Sequence, residues 1–115
     1  MLLKDAEWKM AIVLEPIKWI REEFSKAGVN TLAKDLIGVY ELLGHGDGVL
    51  RVGEGQVKAR INAHLADNRF SPPTVLAFRY LAVAEPEDGK ILEKLRIQEY
   101  ENETGVLPRF QEIRA

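Results

Sequence analysis

Two pairs of residues have the types needed for acid–base work. His45 and Asp47 stand two apart in GHGDG, and His64 and Asp67 stand three apart in HLAD. A histidine acts as a general base when a carboxylate orients its ring inside a pocket, and neither spacing supplies the pocket. A metal centre needs three or four converging ligands, which two histidines on either side of a hairpin and scattered carboxylates do not make. Ser25 and Ser71 fall at element ends, where capping accounts for them. With no cysteine there is no thiol nucleophile, no thiolate metal site and no disulfide. The glycine spacing in GHGDG fits no phosphate loop. The residues therefore read as non-enzymatic: no catalytic residue, metal or cofactor is assigned.

What remains is binding, at two candidate surfaces. Trp8, Ile12 and Trp19 stand off the main apolar row of the N-terminal segment, and eleven residues is close to a whole number of helical turns. On one helix the two tryptophans form a second apolar line, wider than a helix packed only on its own sheet requires. That line is either core or a contact for a partner, and aromatic anchors are enriched in contacts. The second surface is cationic. If VKARINAHLA, residues 57 to 66, is a strand with Val57, Ile61 and Leu65 inward, then Lys58, Arg60, Asn62 and His64 face out. Arg79, Lys94 and Arg96 would join Lys58 and Arg60 on that face and give five cations able to meet a phosphate backbone or another polyanion. The same register turns Phe78 and Tyr80 inward, which removes the stacking platforms that sheet-based nucleic-acid binding uses. His64 then becomes an ordinary outward-facing strand residue.

Both surfaces depend on the elements that carry them. Leu3, Ala6, Met10, Val13, Ile17, Ile20, Phe24 and Ala27 recur at steps of three and four, which predicts a helix from about 3 to 27, kinked at Pro16 and stopped by Gly28. Asn30 caps a second helix carrying Leu32, Leu36, Val39 and Leu43. Beyond the glycine turn the period becomes two: VLRV, a GEG turn, then the 57–66 stretch as a hairpin partner. The three alanines and the Leu, Lys and Arg of that stretch argue for a helix instead, against the alternation. TVLAFRYLAV and ILEKLRIQEY read as further strands, since the apolar residues of the latter would scatter around a helix. VLPRFQEI, broken by a proline, is expected at a sheet edge. The predicted fold is α+β, a single domain over 1–115 with a helical part at about 3–43 and a β part at about 48–113. Its two N-terminal helices cover one face of a roughly five-stranded antiparallel meander; the alternative is an all-α bundle of about five helices.

The bulk numbers are those of an ordinary globular chain: 115 residues, 46% hydrophobic, 30% charged, with 16 basic against 18 acidic residues for a net charge of −2. So small a charge gives no general pull toward nucleic acid or anionic membrane. The start, MLLKDAEWKM, lacks the pattern of a signal peptide, and no run reaches the ~20 apolar residues that span a bilayer. The expectation is a cytoplasmic protein, or one held within an assembled particle. Its leading role is a non-enzymatic assembly subunit, a homo-oligomer or part of a larger, virion-type complex, with Trp8, Ile12 and Trp19 at a contact. A nucleic-acid or polyanion module using Lys58, Arg60, Arg79, Lys94 and Arg96 is the alternative.

Overall fold

A computed structural model describes residues 18–111. Over this span the protein is α+β, with four strands and three helices: β1 (Ile20–Glu23), α1 (Lys26–Asn30), β2 (Ile37–Leu43), β3 (Val49–Gln56), α2 (Val57–Leu65), β4 (Ala77–Ala82) and α3 (Pro86–Thr104). The strands form one sheet in the order β1-β4-β2-β3, every pair antiparallel. This overturns the predicted two helices on a five-stranded meander, and equally the all-α bundle. The helices lie between and after the strands, and they occupy both faces of the sheet.

Four elements depart from the sequence reading, each for a physical reason. Residues 37–43 form the strand β2 rather than the end of a second helix. As a central strand covered on both faces, β2 is buried from Gly38 to Leu43, and a strand buried on both sides loses the alternation that would announce it. Residues 57–65 form the helix α2 rather than a strand: Val57 and Ile61 are buried one turn apart and Leu65 packs against the same core, while Ala59 and Ala63 lie exposed. The alternation there was a coincidence of small residues, and alanine's helix preference prevails. The GEG turn is absent; β3 runs straight through Gly53 and Gly55 into α2. Residues 86–104 form α3 rather than a strand. Pro86 opens it, Glu87 and Asp88 stand in its first turn against the helix dipole, and Gly105 at φ 79° closes it.

The ends also differ. Most of the predicted N-terminal helix, with Trp8 and Ile12, lies outside the described residues. Its last part is instead the strand β1 and the short helix α1, where Ser25 accepts a hydrogen bond from the Gly28 N–H. The VLPRFQEI segment forms no strand among the described residues; Pro108 to Gln111 make a turn, closed by the Gln111 N–H donating to the Pro108 carbonyl at 2.9 Å, that straps the outer edge of β3.

Register sorts the side chains. Opposed pairs Tyr40–Tyr80 and Leu42–Phe78 point to one face, where they meet Phe24, Val29, Leu32, Val57, Ile61, Phe70 and Val75 in the main core beneath α1 and α2. The alternate pairs, Val39–Leu81 and Glu41–Arg79, point to the other face, which α3 crosses over β2 and β3. On the core face the Tyr40 ring lies over Gly53, its opposed residue on β3, so closely that a methyl group there would overlap the ring. Gly53→Ala should therefore lower stability by about 1–3 kcal/mol, the usual cost of overpacking a filled core. Urea denaturation would read this, and an unchanged midpoint would mean that the Tyr40 ring does not close over Gly53.

Candidate functional site

On the α3 face, in the middle of the central strand, Glu41 is a fully buried carboxylate. Strand register brings Arg79 directly opposite it, with Nε and Nη2 at 2.7 and 2.6 Å from Oε1. The second oxygen, Oε2, accepts from Nε of Arg96 on α3 at 2.6 Å. Arg96 also approaches Glu99 one turn further along at 3.5 Å. The half-buried Trp19 ring roofs the group, with the guanidinium carbons of Arg79 and Arg96 at 4.5 and 5.7 Å from its centroid. Both carboxylate oxygens and both guanidinium groups are thus spoken for, which is the only form in which such charges are buried at tolerable cost.

The core face holds a second polar pair. The Tyr40 hydroxyl and His64 Nε2 are 2.7 Å apart, and the His64 ring packs edge-on against Phe70 at 4.9 Å. Burial, with the neighbouring Arg51 guanidinium next in weight, lowers the His64 pKa to about 4, against the raising influence of Asp67. The imidazole is therefore neutral near pH 7. Burial also pushes the Tyr40 hydroxyl above its usual value. The His64–Asp67 spacing does not become a dyad, because both Asp67 oxygens are taken by Arg69, which holds that carboxyl down at about 2. His45 is exposed, and its neighbour Asp47 is bonded to Arg21 at 2.8 Å. Among the described residues no group of three or more His, Asp or Glu is placed to hold a metal ion.

The residues singled out from the sequence are dispersed. Trp8 and Ile12 lie outside the described residues, and Trp19 covers the arginine pair. Of the five cations, Lys58 and Arg60 ride on α2 on the core face, with Arg60 packed beside Gly55. Arg79 and Arg96 meet at Glu41, and Lys94 is exposed on α3. Sequence reasoning passed over Glu41, although a lone acid inside IGVYELL is itself a signal: a charge within an apolar run must find partners or stay out. It also passed over the outer side of α3, where Ile91 and Leu95, one turn apart, are 55% and 53% exposed. Among the described residues no helix is long and apolar enough to cross a membrane.

Two outcomes follow. Glu41→Gln leaves two arginines facing an uncharged amide, so a loss of about 3–5 kcal/mol is expected in urea unfolding, and a loss below 1 kcal/mol would mean the arginines are solvated. For His64 the folded pKa of about 4 lies below the unfolded value of 6.5, so the native state binds fewer protons. Its contribution is complete above pH 6.5 and is lost as pH falls toward 4, by on the order of 2 kcal/mol after allowing for its partial contact with solvent. Glu93, raised by burial and by Glu54, acts with the opposite sign, so the measurement is a comparison. The drop in stability between pH 7 and pH 4.5 should shrink in His64→Gln relative to wild type; equal drops would place His64 in water. In comparisons with known proteins, no family model and no curated protein matches the chain.

Proposed function

We propose that the chain is a non-enzymatic interaction subunit that assembles with further copies of itself. The observation that carries this reading is the apolar pair Ile91 and Leu95, each more than half exposed on the outer side of α3. Large side chains one turn apart on an exposed helix form the kind of short stripe that a partner helix covers. The stripe is self-complementary. Two antiparallel copies of α3 related by a two-fold axis midway between these positions set Ile91 against Leu95 of the other copy, twice. A net charge of only −2 opposes such an approach weakly. The groups with chemical potential support a structural role, since Glu41, Arg79 and Arg96 bind one another and His64 binds Tyr40. Trp8, Ile12 and Trp19 remain candidates for extending the contact. We place the assembled protein in the cytoplasm or within a larger particle.

The polyanion reading has less beneath it, because Arg79 and Arg96 are committed to Glu41 and Lys58 and Arg60 belong to the other face. Light scattering during gel filtration tests the leading reading. Wild type should have at least twice the 13.0 kDa chain mass, and Ile91→Glu with Leu95→Glu should return it to the single-chain mass with an unchanged circular dichroism spectrum. A single-chain mass for wild type at micromolar concentration would overturn self-assembly, and an oligomer that survives both substitutions would move the contact elsewhere.

A further inference from the structure

The chain holds two Asp-Gly steps, Asp47–Gly48 and Asp88–Gly89, and the fold treats them oppositely. An aspartyl carboxyl followed by glycine can close on the next backbone nitrogen, because glycine has no side chain to block the approach. Whether it does so depends on how freely the backbone brings the two groups together. Asp88 stands in the first turn of α3 with its N–H bonded to the Glu85 carbonyl at 3.0 Å, and Gly89 is buried against the sheet beside Glu54 and the Gly38 carbonyl. Closure there requires the helix to open. Asp47 lies instead in the link between β2 and β3, where His45, Gly46, Asp47 and Gly48 are all exposed. The Gly48 N–H donates to the His45 carbonyl at 3.4 Å, longer than a well-formed backbone bond. Asp47 takes the left-handed conformation at φ 60°, a costly one for a residue with a side chain. Its ion pair with Arg21 at 2.8 Å joins two side chains that are more than half exposed, and it restrains them weakly. The fold does not require glycine at 48: φ there is −63°, and a Cβ would meet only the His45 carbonyl oxygen, at 3.6 Å.

We propose that Asp47–Gly48 is a site of spontaneous covalent modification, which isomerises to isoaspartate through a cyclic imide. The Gly48 nitrogen bonds to Cγ of the protonated Asp47 carboxyl, and the proton it gives up leaves with the carboxyl hydroxyl as water. Water then adds back to the ring. Opening at Cγ restores aspartate, whereas opening at the Asp47 main-chain carbonyl breaks its bond to the Gly48 nitrogen and leaves the chain running through Cβ and Cγ. The water released in closure is consumed in opening, so composition and oxidation state are unchanged. The new carboxylate is the former main-chain carbonyl carbon, displaced from the position that Arg21 reaches. Arg21 on β1 stands directly opposite Arg79 on β4, so without Asp47 it is left beside a like charge, and the short strand β1 loses its tie to the β2–β3 link. None of this depends on self-assembly through α3.

The test ages full-length wild type and full-length Gly48→Ala side by side in neutral buffer at body temperature for several weeks. Each is then denatured, digested with trypsin and read by electron-transfer fragmentation, which tells an isoaspartyl from an aspartyl backbone and localises it to a residue. Trypsin separates the two steps, placing Asp47–Gly48 in peptide 35–51 and Asp88–Gly89 in peptide 80–90. Isoaspartate should accumulate at residue 47 at least about tenfold faster than at residue 88, the difference being the opening of α3 that the second step needs. In Gly48→Ala the accumulation at residue 47 should fall by a similar factor, with an unchanged circular dichroism spectrum. Absence of isoaspartate at residue 47 of wild type overturns the proposal, as does accumulation at residue 88 that matches or exceeds it. Equal accumulation at residue 47 in a folded Gly48→Ala overturns it too. Should that variant not fold, the comparison of the two peptides within wild type decides alone.

Discussion

The carboxylate of Glu41 is the constraint from which the rest of one sheet face follows. A charge at a fully buried position of a central strand is tolerated only with its lone pairs occupied, and the two groups that occupy them come from different directions. Arg79 arrives by strand register and Arg96 by the docking of α3. Pairs of this kind contribute little net stability against a hydrophobic substitute, so their value is geometric: they admit one arrangement and penalise the others. A one-residue slip of β4 would turn Arg79 to the core face and leave Glu41 with half its partners. A rotation of α3 would withdraw Arg96.

That rotation fixes what the protein shows to solvent. With Arg96 held against the sheet, the helical step turns Leu95 about 100° and Ile91 about 140° away from it. The apolar stripe proposed as the assembly surface is thus a consequence of the buried ion pairs. The side of α3 that carries Arg96 also carries Gly89, Leu92, Glu93 and Tyr100, all buried or half-buried. Apolar residues on both sides of the helix are what made ILEKLRIQEY look unsuited to a helix. The scatter comes from apolar side chains left exposed on the outer side of α3, not from a strand.

How much of this was legible depends on burial. The core of β4 was readable because its aromatic and alternating residues behave as strand residues do. The character of β2 was hidden by being covered twice, which made Leu36, Val39 and Leu43 resemble a helical row. α2 was hidden by the opposite effect, since its small and polar residues satisfy both periods and only the seating of Val57 and Ile61 under the sheet selects one. The candidate site was largely illegible. Arg79 and Arg96 were noticed as cations, but their common partner was not, because a contact between residues 38 and 55 positions apart is written in topology rather than in local spacing. His64 was assigned to water for the same reason: the strand reading pointed it outward, whereas one turn of helix delivers it to Tyr40.

Among the described residues the sheet has two edges, β1 and β3, and it manages them differently. β1 is short, and three of its four residues are charged, a common defence against unwanted strand pairing. β3 is twice as long and is covered instead. Four bonds to β3, two from Phe110 and two from Gln111, at ~0.5–1.5 kcal/mol each, with ~2–5 kcal/mol for seating Pro108 and part of Phe110, oppose roughly 4–8 kcal/mol for ordering four residues. The difference lies within a few kcal/mol of zero, well below what holds the central strands. The cover is therefore among the first parts of the molecule to open.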